Sequence, residues 1–363
     1  MRWNKARVLA VSVVLSAFPL LGAQRTFVAS SGNDASPCTR DLPCRSFTAA
    51  IAQTSANGEV VALDSAGYGP MTVTQSVTIV AAPGVHAGIS VFTGDGVTIN
   101  AGSTDRVILR NLYINSQGGS NGIILNSAGK VHIEHCVVSG FSSKGIKLIP
   151  TNDAKVAISD TVVRQVASSG IYAGSSNALS VSIDRCRLEG NNGDGVLADS
   201  GSVAIGNSTA DGNLGAAVNG GNFFSPVIIA VEACVFSNNN TGVFVAGQSA
   251  ATVHNTTALH NLTGYYAIGG YLSLDNCVAS GGSVGVHVQS GVASIVGCTI
   301  ADNSGIGVQV SDFGHGIVSR NTITRNDTGM DSTGGTLQSA GDNIVEQNTT
   351  TNANGTIGSV TKV

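Results

Sequence analysis

A chain of 363 residues with 47 glycines, only 11% charged residues and a mean hydropathy of +0.22 is too apolar and too weakly charged to remain disordered. Its net charge of −4 and pI near 5.9 leave no basic footprint for nucleic acid. Aromatic residues make up 5% of the chain, which is thin for a base-stacking platform or a deep sugar-stacking groove.

Arg2, Lys5 and Arg7 form a positive head, Val8 to Leu21 an apolar run broken at Pro19, and Gly22 and Ala23 a small-residue exit before Gln24. This pattern predicts a secretory leader over residues 1–23. No other stretch approaches the roughly 18 consecutive apolar residues of a membrane span, and no cysteine follows the run to carry a lipid. The expectation is therefore a secreted or periplasmic protein without membrane insertion.

Residues 24–80 read as an N-terminal cap and the first coils of a repeating structure. TFVASSGND gives a short strand and turn, and SPCTRDLPC a loop in which Cys38 and Cys44 are expected to form a local disulfide. Ser46 is placed to N-cap a helix through FTAAIAQ, with Phe47, Ala50 and Ile51 on one face. Strand-like sequence resumes with EVVALDSAGYGPMTVTQSVTIVA.

Residues 81–347 read as the β-helix repeats, and from about residue 106 onward one phrase recurs about every 22 residues: two alternating apolar positions, a small or polar sixth position, an apolar pair, a Gly/Asn/Ser turn and a second short strand. VHIEHCVV from Val131, VAISDTVV from Val156, VSIDRCRL from Val181 and LSLDNCVA from Leu272 are instances. Each segment alternates with a period of two and is too short for a helix. Strands at this spacing leave no room for crossover helices, and a constant coil length argues against an antiparallel sandwich. The pattern predicts an all-β, right-handed parallel β-helix, a solenoid of about 12 coils some 60 Å long, with a short N-terminal capping helix.

The sixth position is read as a stacked column: Asn111, Cys136, Thr161, Cys186, Ser208, Cys234, Thr256, Cys277, Cys298, Asn321 and Asn343. Metal ligands must converge on a point, whereas these lie along a line, so packing is expected. Cys277 and Cys298, on adjacent coils, are the pair to check for a disulfide. Residues 348–363 (NTTTNANGTIGSVTKV) read as a polar tail.

The segments SGND, SPCTRDLPC, SFTAAI and VVALDSAGYG, followed by the coil repeat, resemble secreted β-helix proteins of the pectin-lyase-like superfamily over nearly the whole mature chain. The resemblance implies the fold and leaves the activity open, because that fold hosts lyases, hydrolases, epimerases, adhesins and binding proteins. Pectate-cleaving members gather carboxylates around Ca²⁺ beside an Arg or Lys base. Galacturonan hydrolases carry Asn-Thr-Asp, Asp-Asp, Gly-His-Gly and Arg-Ile-Lys in successive coils. Only Gly314-His315-Gly316 is present in this chain, and an isolated His between glycines reads as a turn. Hydrolysis requires two placed carboxylates, and no such pair stands out.

Charge is unevenly distributed. Seventeen of the 40 Asp, Glu, Lys and Arg residues lie between Asp105 and Asp199, whereas residues 200–310 hold only Asp211, Glu232, Asp275 and Asp302. The repeat register stacks Arg110, His135, Asp160 and Arg185 at the fifth position, adds Glu134 and Asp184 at the fourth, and brings in Arg164, Arg187 and Glu189. This predicts one mixed-charge patch that either binds an anionic or polyhydroxyl polymer or forms a salt-bridged ladder fixing the register. His135, Glu134, Arg185 and Arg187 are its catalytic candidates. Glu134, Asp160 and Asp184 are the only carboxylates the pattern offers to Ca²⁺, and no other cofactor is called for. Three functions are compatible with the pattern: binding a polysaccharide or other surface polymer (or a structural role), a polysaccharide lyase acting on an anionic glycan, and an adhesin or self-associating rod. The sequence carries no signal for a particular oligomeric state.

Overall fold

The computed structural model describes residues 23–221 and 225–360. Residues 1–22, which hold nearly all of the expected leader, lie outside the described residues, as do 222–224 and 361–363. The described residues form three parallel sheets of fifteen, thirteen and thirteen strands; apart from Ala23–Val28, which pairs with the next strand Thr54–Ala62, neighbouring strands in a sheet are three apart in chain order. One turn of the solenoid thus contributes one strand to each sheet. In the coil beginning at Lys130 these are Lys130–Glu134 in sheet A, Val137–Ser139 in sheet B and Ile146–Leu148 in sheet C.

Alternation sets which side chains face inward. Val131, Ile133, Val138, Ile146 and Leu148 are all fully buried, and burying each such side chain stabilises the coil by about 1.5–3 kcal/mol. Along this part of sheet A the register repeats without slippage, so Val107, Val131, Val156, Val181 and Val203 form one continuous inner stack. Between sheets A and B a single left-handed residue makes the corner: Asn111, His135, Asp160, Arg185, Asn207, Ala233, Asn255 and Asn276 all have φ between 48° and 58°. Asn and Asp tolerate this conformation because their short side chains bond locally; His135, Arg185 and Ala233 adopt it at some cost.

The polar column follows that corner. The Cys136 N–H donates to Thr161 Oγ1 at 3.2 Å, Cys186 to Ser208 Oγ at 3.0 Å, Cys234 to Thr256 Oγ1 at 3.3 Å and Cys298 to Asn321 Oδ1 at 2.8 Å. Each side chain satisfies a corner amide of the preceding coil, an otherwise costly buried donor. Cys277 and Cys298 stay reduced, the Cys277 N–H donating to Cys298 Sγ at 3.4 Å. At its first member the expected column shifts by one residue. Arg110 pairs in register with Glu134, which places Asn111 beside His135 at the corner and Leu112 in the column. The run Val107-Ile108-Leu109 hides the alternation here, because the outward-facing Ile108 is apolar too.

A second ladder is not apparent in the repeated phrase. At the corner between sheets B and C, Asn191, Asn213, Asn239 and Asn261 are stacked and buried. Each of the first three donates both its N–H and its Nδ2 to the Oδ1 of the next, at 2.8–3.1 Å. Asn303, Asn326 and Asn348 continue it in later coils.

The N-terminal end is covered as expected. Ser46 caps the helix Phe47–Gln53, its Oγ accepting the Ala49 N–H at 3.2 Å, and Cys38 and Cys44 are disulfide-bonded. Phe47, fully buried, packs on Tyr68 with ring centroids 5.1 Å apart. The C-terminal segment is not a tail. Thr351–Asn354 pairs with Thr328–Asp331 in sheet C, and Ile357–Ser359 with Thr336–Ser339 in sheet A. Its polar sequence misleads because at the last coil even strand residues remain exposed, and the alternation has no core to point into.

Candidate functional site

The mixed-charge patch forms on the outer corner between sheets A and B. Arg110 Nε lies 2.8 Å from Glu134 Oε2, and His132 Nδ1 lies 3.8 Å from Glu134 Oε1. Arg185 binds Asp160 in a bidentate fork, Nε to Oδ1 and Nη2 to Oδ2, both at 2.8 Å, and also pairs with Asp184. Asp184 in turn accepts Asn207 Nδ2 at 2.8 Å, and His135 Nε2 sits 4.0 Å from Asp160. The Arg185 hydrogen bonds hold the Asp160 carboxyl below the usual carboxylate range and raise the guanidinium further. Arg187 pairs with Glu189 on its own strand, and Arg164 stands beside Glu189 in register on sheet B. The residues therefore assemble into a ladder of exposed ion pairs whose carboxylates are already occupied.

Ca²⁺ coordination does not follow from this arrangement. Glu134 and Asp184 share one column with Ser159 between them, while Asp160 stands in the neighbouring corner column. Among the described residues no three His, Cys, Asp or Glu side chains converge to hold a metal ion. His315 opens the strand His315–Ser319 after a turn.

A different constellation lies on sheet C. Its outward central column runs Lys147, Tyr172, Leu197, Asn219, Phe244, Tyr266, His287 and Gln309, one residue per coil, all half-buried. Phe244 and Tyr266 meet edge to face with centroids 5.4 Å apart, and Tyr266 stacks on His287 at 4.6 Å with planes 2° apart. Their polar tips are held in place: Tyr266 Oη meets Gln289, His287 Nε2 lies 3.1 Å from Ser311 Oγ, and Gln289 Nε2 donates to Asp312 at 2.6 Å.

At the other end of this column, the turns entering sheet C supply Lys144 and Asp194, two coils apart at equivalent positions. Lys144 Nζ donates to Ser168 Oγ at 2.6 Å and sits over the Tyr172 ring, 5.3 Å from its centroid, a cation–π contact. Partial burial pushes the Lys144 ammonium below its ordinary pKa, against the opposing pull of Asp194 and Asp199. Burial likewise raises Asp194, despite the Ala216 N–H at 2.7 Å and Asn219 Nδ2 at 3.3 Å. Tyr172 is pushed up to about 12 by burial and by its hydrogen bond to Asp199. Asn219 Oδ1 is a buried acceptor without a partner among the described residues. Base-like and acid-like groups displaced toward each other on one open face mark a candidate site.

Sequence reasoning passes over this cluster because its members sit in turns and at single outward positions, away from the repeated phrase. The signal that could have found it is the recurrence of Lys147, Tyr172, Phe244, Tyr266 and His287 two residues after the repeat's Gly.

The sequence model described as a right handed beta helix region matches residues 75–214, 169–291 and 214–361. No curated protein matches the chain in sequence. Among solved structures, the A-modules of two Azotobacter vinelandii mannuronan C-5 epimerases, AlgE6 and AlgE4, are similar with TM-scores of 0.55 each. Their identities are 16% and 14%, and each comparison covers 84% of this chain and 91% of the module. The Dettilon tailspike protein gp208 aligns with a TM-score of 0.50 at 12% identity, covering 91% of this chain and 68% of that one. At these identities the likeness is one of fold.

Proposed function

The chain belongs to the right-handed β-helix family, and from that premise we propose that it binds a polysaccharide laid along sheet C, parallel to the rod axis. The observation that carries this reading is the sheet C column, which places aromatic edges, hydroxyl, amide and imidazole groups and Lys147 in line, with Lys144 in the turn beside it. A linear polymer of sugars presents alternating apolar and hydroxyl surface at a regular repeat, and a column with one residue about every 4.8 Å meets it without rearrangement. Lys144 and Lys147 favour acidic sugars. The epimerases among the similar structures act, by name, on mannuronan, an anionic polysaccharide, which supports the same substrate class. Export by the leader would place the protein where such polymers occur.

A second reading is favoured by one observation. Lys144 and Asp194 are displaced toward each other in proton affinity, with Tyr172 beside them. That is the condition for taking a proton from a sugar and returning one. On this reading the protein modifies the bound chain as a lyase or a related proton-transfer enzyme, with Lys144 as base.

The test is a titration of acidic and neutral polysaccharides against the mature protein, with and without Ca²⁺, while ultraviolet absorbance reports unsaturated product. Binding that is lost in Tyr266→Ala supports the first reading. Product that disappears in Lys144→Gln supports the second. Full binding by both variants would overturn the sheet C assignment.

A further inference from the structure

The turns leading into sheet A form a groove of about 790 Å³ on a different edge of the rod. It crosses six coils, from Ser103 to Ile228, a run of about 24 Å at the strand spacing. That length and volume leave room for one extended chain. Its two ends differ in chemistry. At one end Lys130 and Lys155 line it, in register with each other and with Arg106 just outside the lining; all three are exposed, and among the described residues no carboxylate forms an ion pair with any of them. Toward the other end Ala178, Pro226 and Ile228 line it together with Ser180 and Ser202, over the buried Leu179, and Ile228 is 65% exposed.

Like charges directly opposite on neighbouring strands destabilise a sheet. Elsewhere on this rod Arg25, Arg110, Arg185 and Arg325 each pair with a carboxylate. Carboxylates near the groove are spent otherwise: Asp105 accepts Ser76 Oγ at 2.6 Å and the Gly102 N–H at 2.7 Å, and Asp153 accepts the Ala178 N–H at 3.0 Å. The cation ladder is thus left without a direct ion pair, with Asp153 beside it in the lining, next to a floor in which Ala178, Pro226 and Ile228 supply most of the apolar surface. A polyanion would answer the cations and leave the floor unexplained. A neutral apolar ligand would do the reverse.

We propose that this groove binds a single-chain anionic amphiphile, its phosphate, sulfate or carboxylate head on Lys130 and Lys155 and its alkyl chain running toward Leu179 and Ile228. The site is separate from sheet C and independent of what binds there. A line-shaped groove about 24 Å long takes one molecule lengthwise and does not offer the flat area that a bilayer surface would need.

The experiment is calorimetric titration of the mature protein with dodecyl phosphate below its micellar concentration, with inorganic phosphate and dodecyl maltoside as head-only and neutral-head controls. Saturable binding of one dodecyl phosphate per chain is expected, with neither control binding comparably. Lys130→Gln/Lys155→Gln should weaken it about tenfold or more, the worth of charge-assisted contacts. Ile228→Asp, at an exposed position, should weaken it without lowering the melting temperature, and Tyr266→Ala should leave it intact. Three results would overturn the proposal: no binding, binding indifferent to both groove variants, or groove-lysine-dependent binding of polygalacturonate without binding of dodecyl phosphate.

Discussion

Coils built from residues 106–199 and coils built from residues 200–310 share most of their interior and differ in their exteriors. Inside, both stack Val, Ile and Leu and both carry the Cys/Thr/Ser column, while the Asn ladder begins only at Asn191, after Phe141 and Val166 fill the same corner with apolar side chains, and runs through the second set. Outside, the first set carries Lys144, Tyr172, Asp194 and the Arg185 ion pairs, whereas the second presents the rings of Phe244, Tyr266 and His287. The interior must repeat because each coil's side chains fill the space left by its neighbours, and the exterior is free to differ because nothing stacks on it except the next outward residue. Fold therefore resides in what the coils share and function in what they do not.

The shared interior is most vulnerable at the Asn ladder. Asn239→Ala would leave the buried Asn213 N–H without its acceptor and remove one of the bonds made by Asn213 Nδ2 and by Asn261 Oδ1, together with the side-chain bond to the Ala210 carbonyl. Each buried unpaired group costs about 1–3 kcal/mol, so chemical denaturation should show a loss of about 3 kcal/mol or more, while Asn239→Asp should not rescue it. On the exterior, Tyr266→Ala should weaken polysaccharide binding about tenfold, or about 1.4 kcal/mol, with an unchanged melting temperature. In the column, Cys186→Ala should cost about 1 kcal/mol by removing a small buried side chain, whereas Cys186→Thr should cost less, since Thr161 and Thr256 fill the same position in other coils. Melting curves of the two variants settle that order.

The smallest effect belongs to the ion-pair ladder. Asp160 has its pKa lowered in the folded state, so the folded chain binds this proton less readily than the unfolded one. Its contribution to stability is present above the ordinary carboxylate pKa and lost as pH falls through the lowered value. Asp160→Asn should therefore match the native protein at the acid end of a pH series of melts and fall slightly below it near neutrality. An exposed pair supports only a small difference, and a large one would place the ladder among the elements that hold the fold.

Most of the fold is legible in the sequence because its determinants recur. Val131, Val156 and Val181 begin the same phrase, Cys136 and Cys186 occupy the same slot, and Ser46 with Phe47, Ala50 and Ile51 declares a capped amphipathic helix. Legibility fails where the pattern is locally degenerate, as at Ile108, and where it loses its core, as at Thr351–Asn354. The Asn ladder escapes because Asn191, Asn213 and Asn239 sit in turns, where asparagine is common for local reasons and only stacking gives it a partner. The sheet C cluster escapes for a related reason. Lys144, Tyr172 and Asp194 are far apart in sequence and acquire their chemistry from partial burial, which no spacing rule reports. The conspicuous charges between residues 110 and 189 draw attention because they are dense, and density is what lets them neutralise one another.

On the proposed reading sheet C, and not the dense charge ladder, receives the polysaccharide. That choice of face is tested most directly by measuring the affinity of one acidic polysaccharide for two double variants, Lys144→Gln/Tyr266→Ala on sheet C and Asp160→Asn/Arg185→Gln on the ladder. The first should lose binding and the second should keep it. Loss of binding in the ladder variant with full binding in the sheet C variant would contradict the assignment.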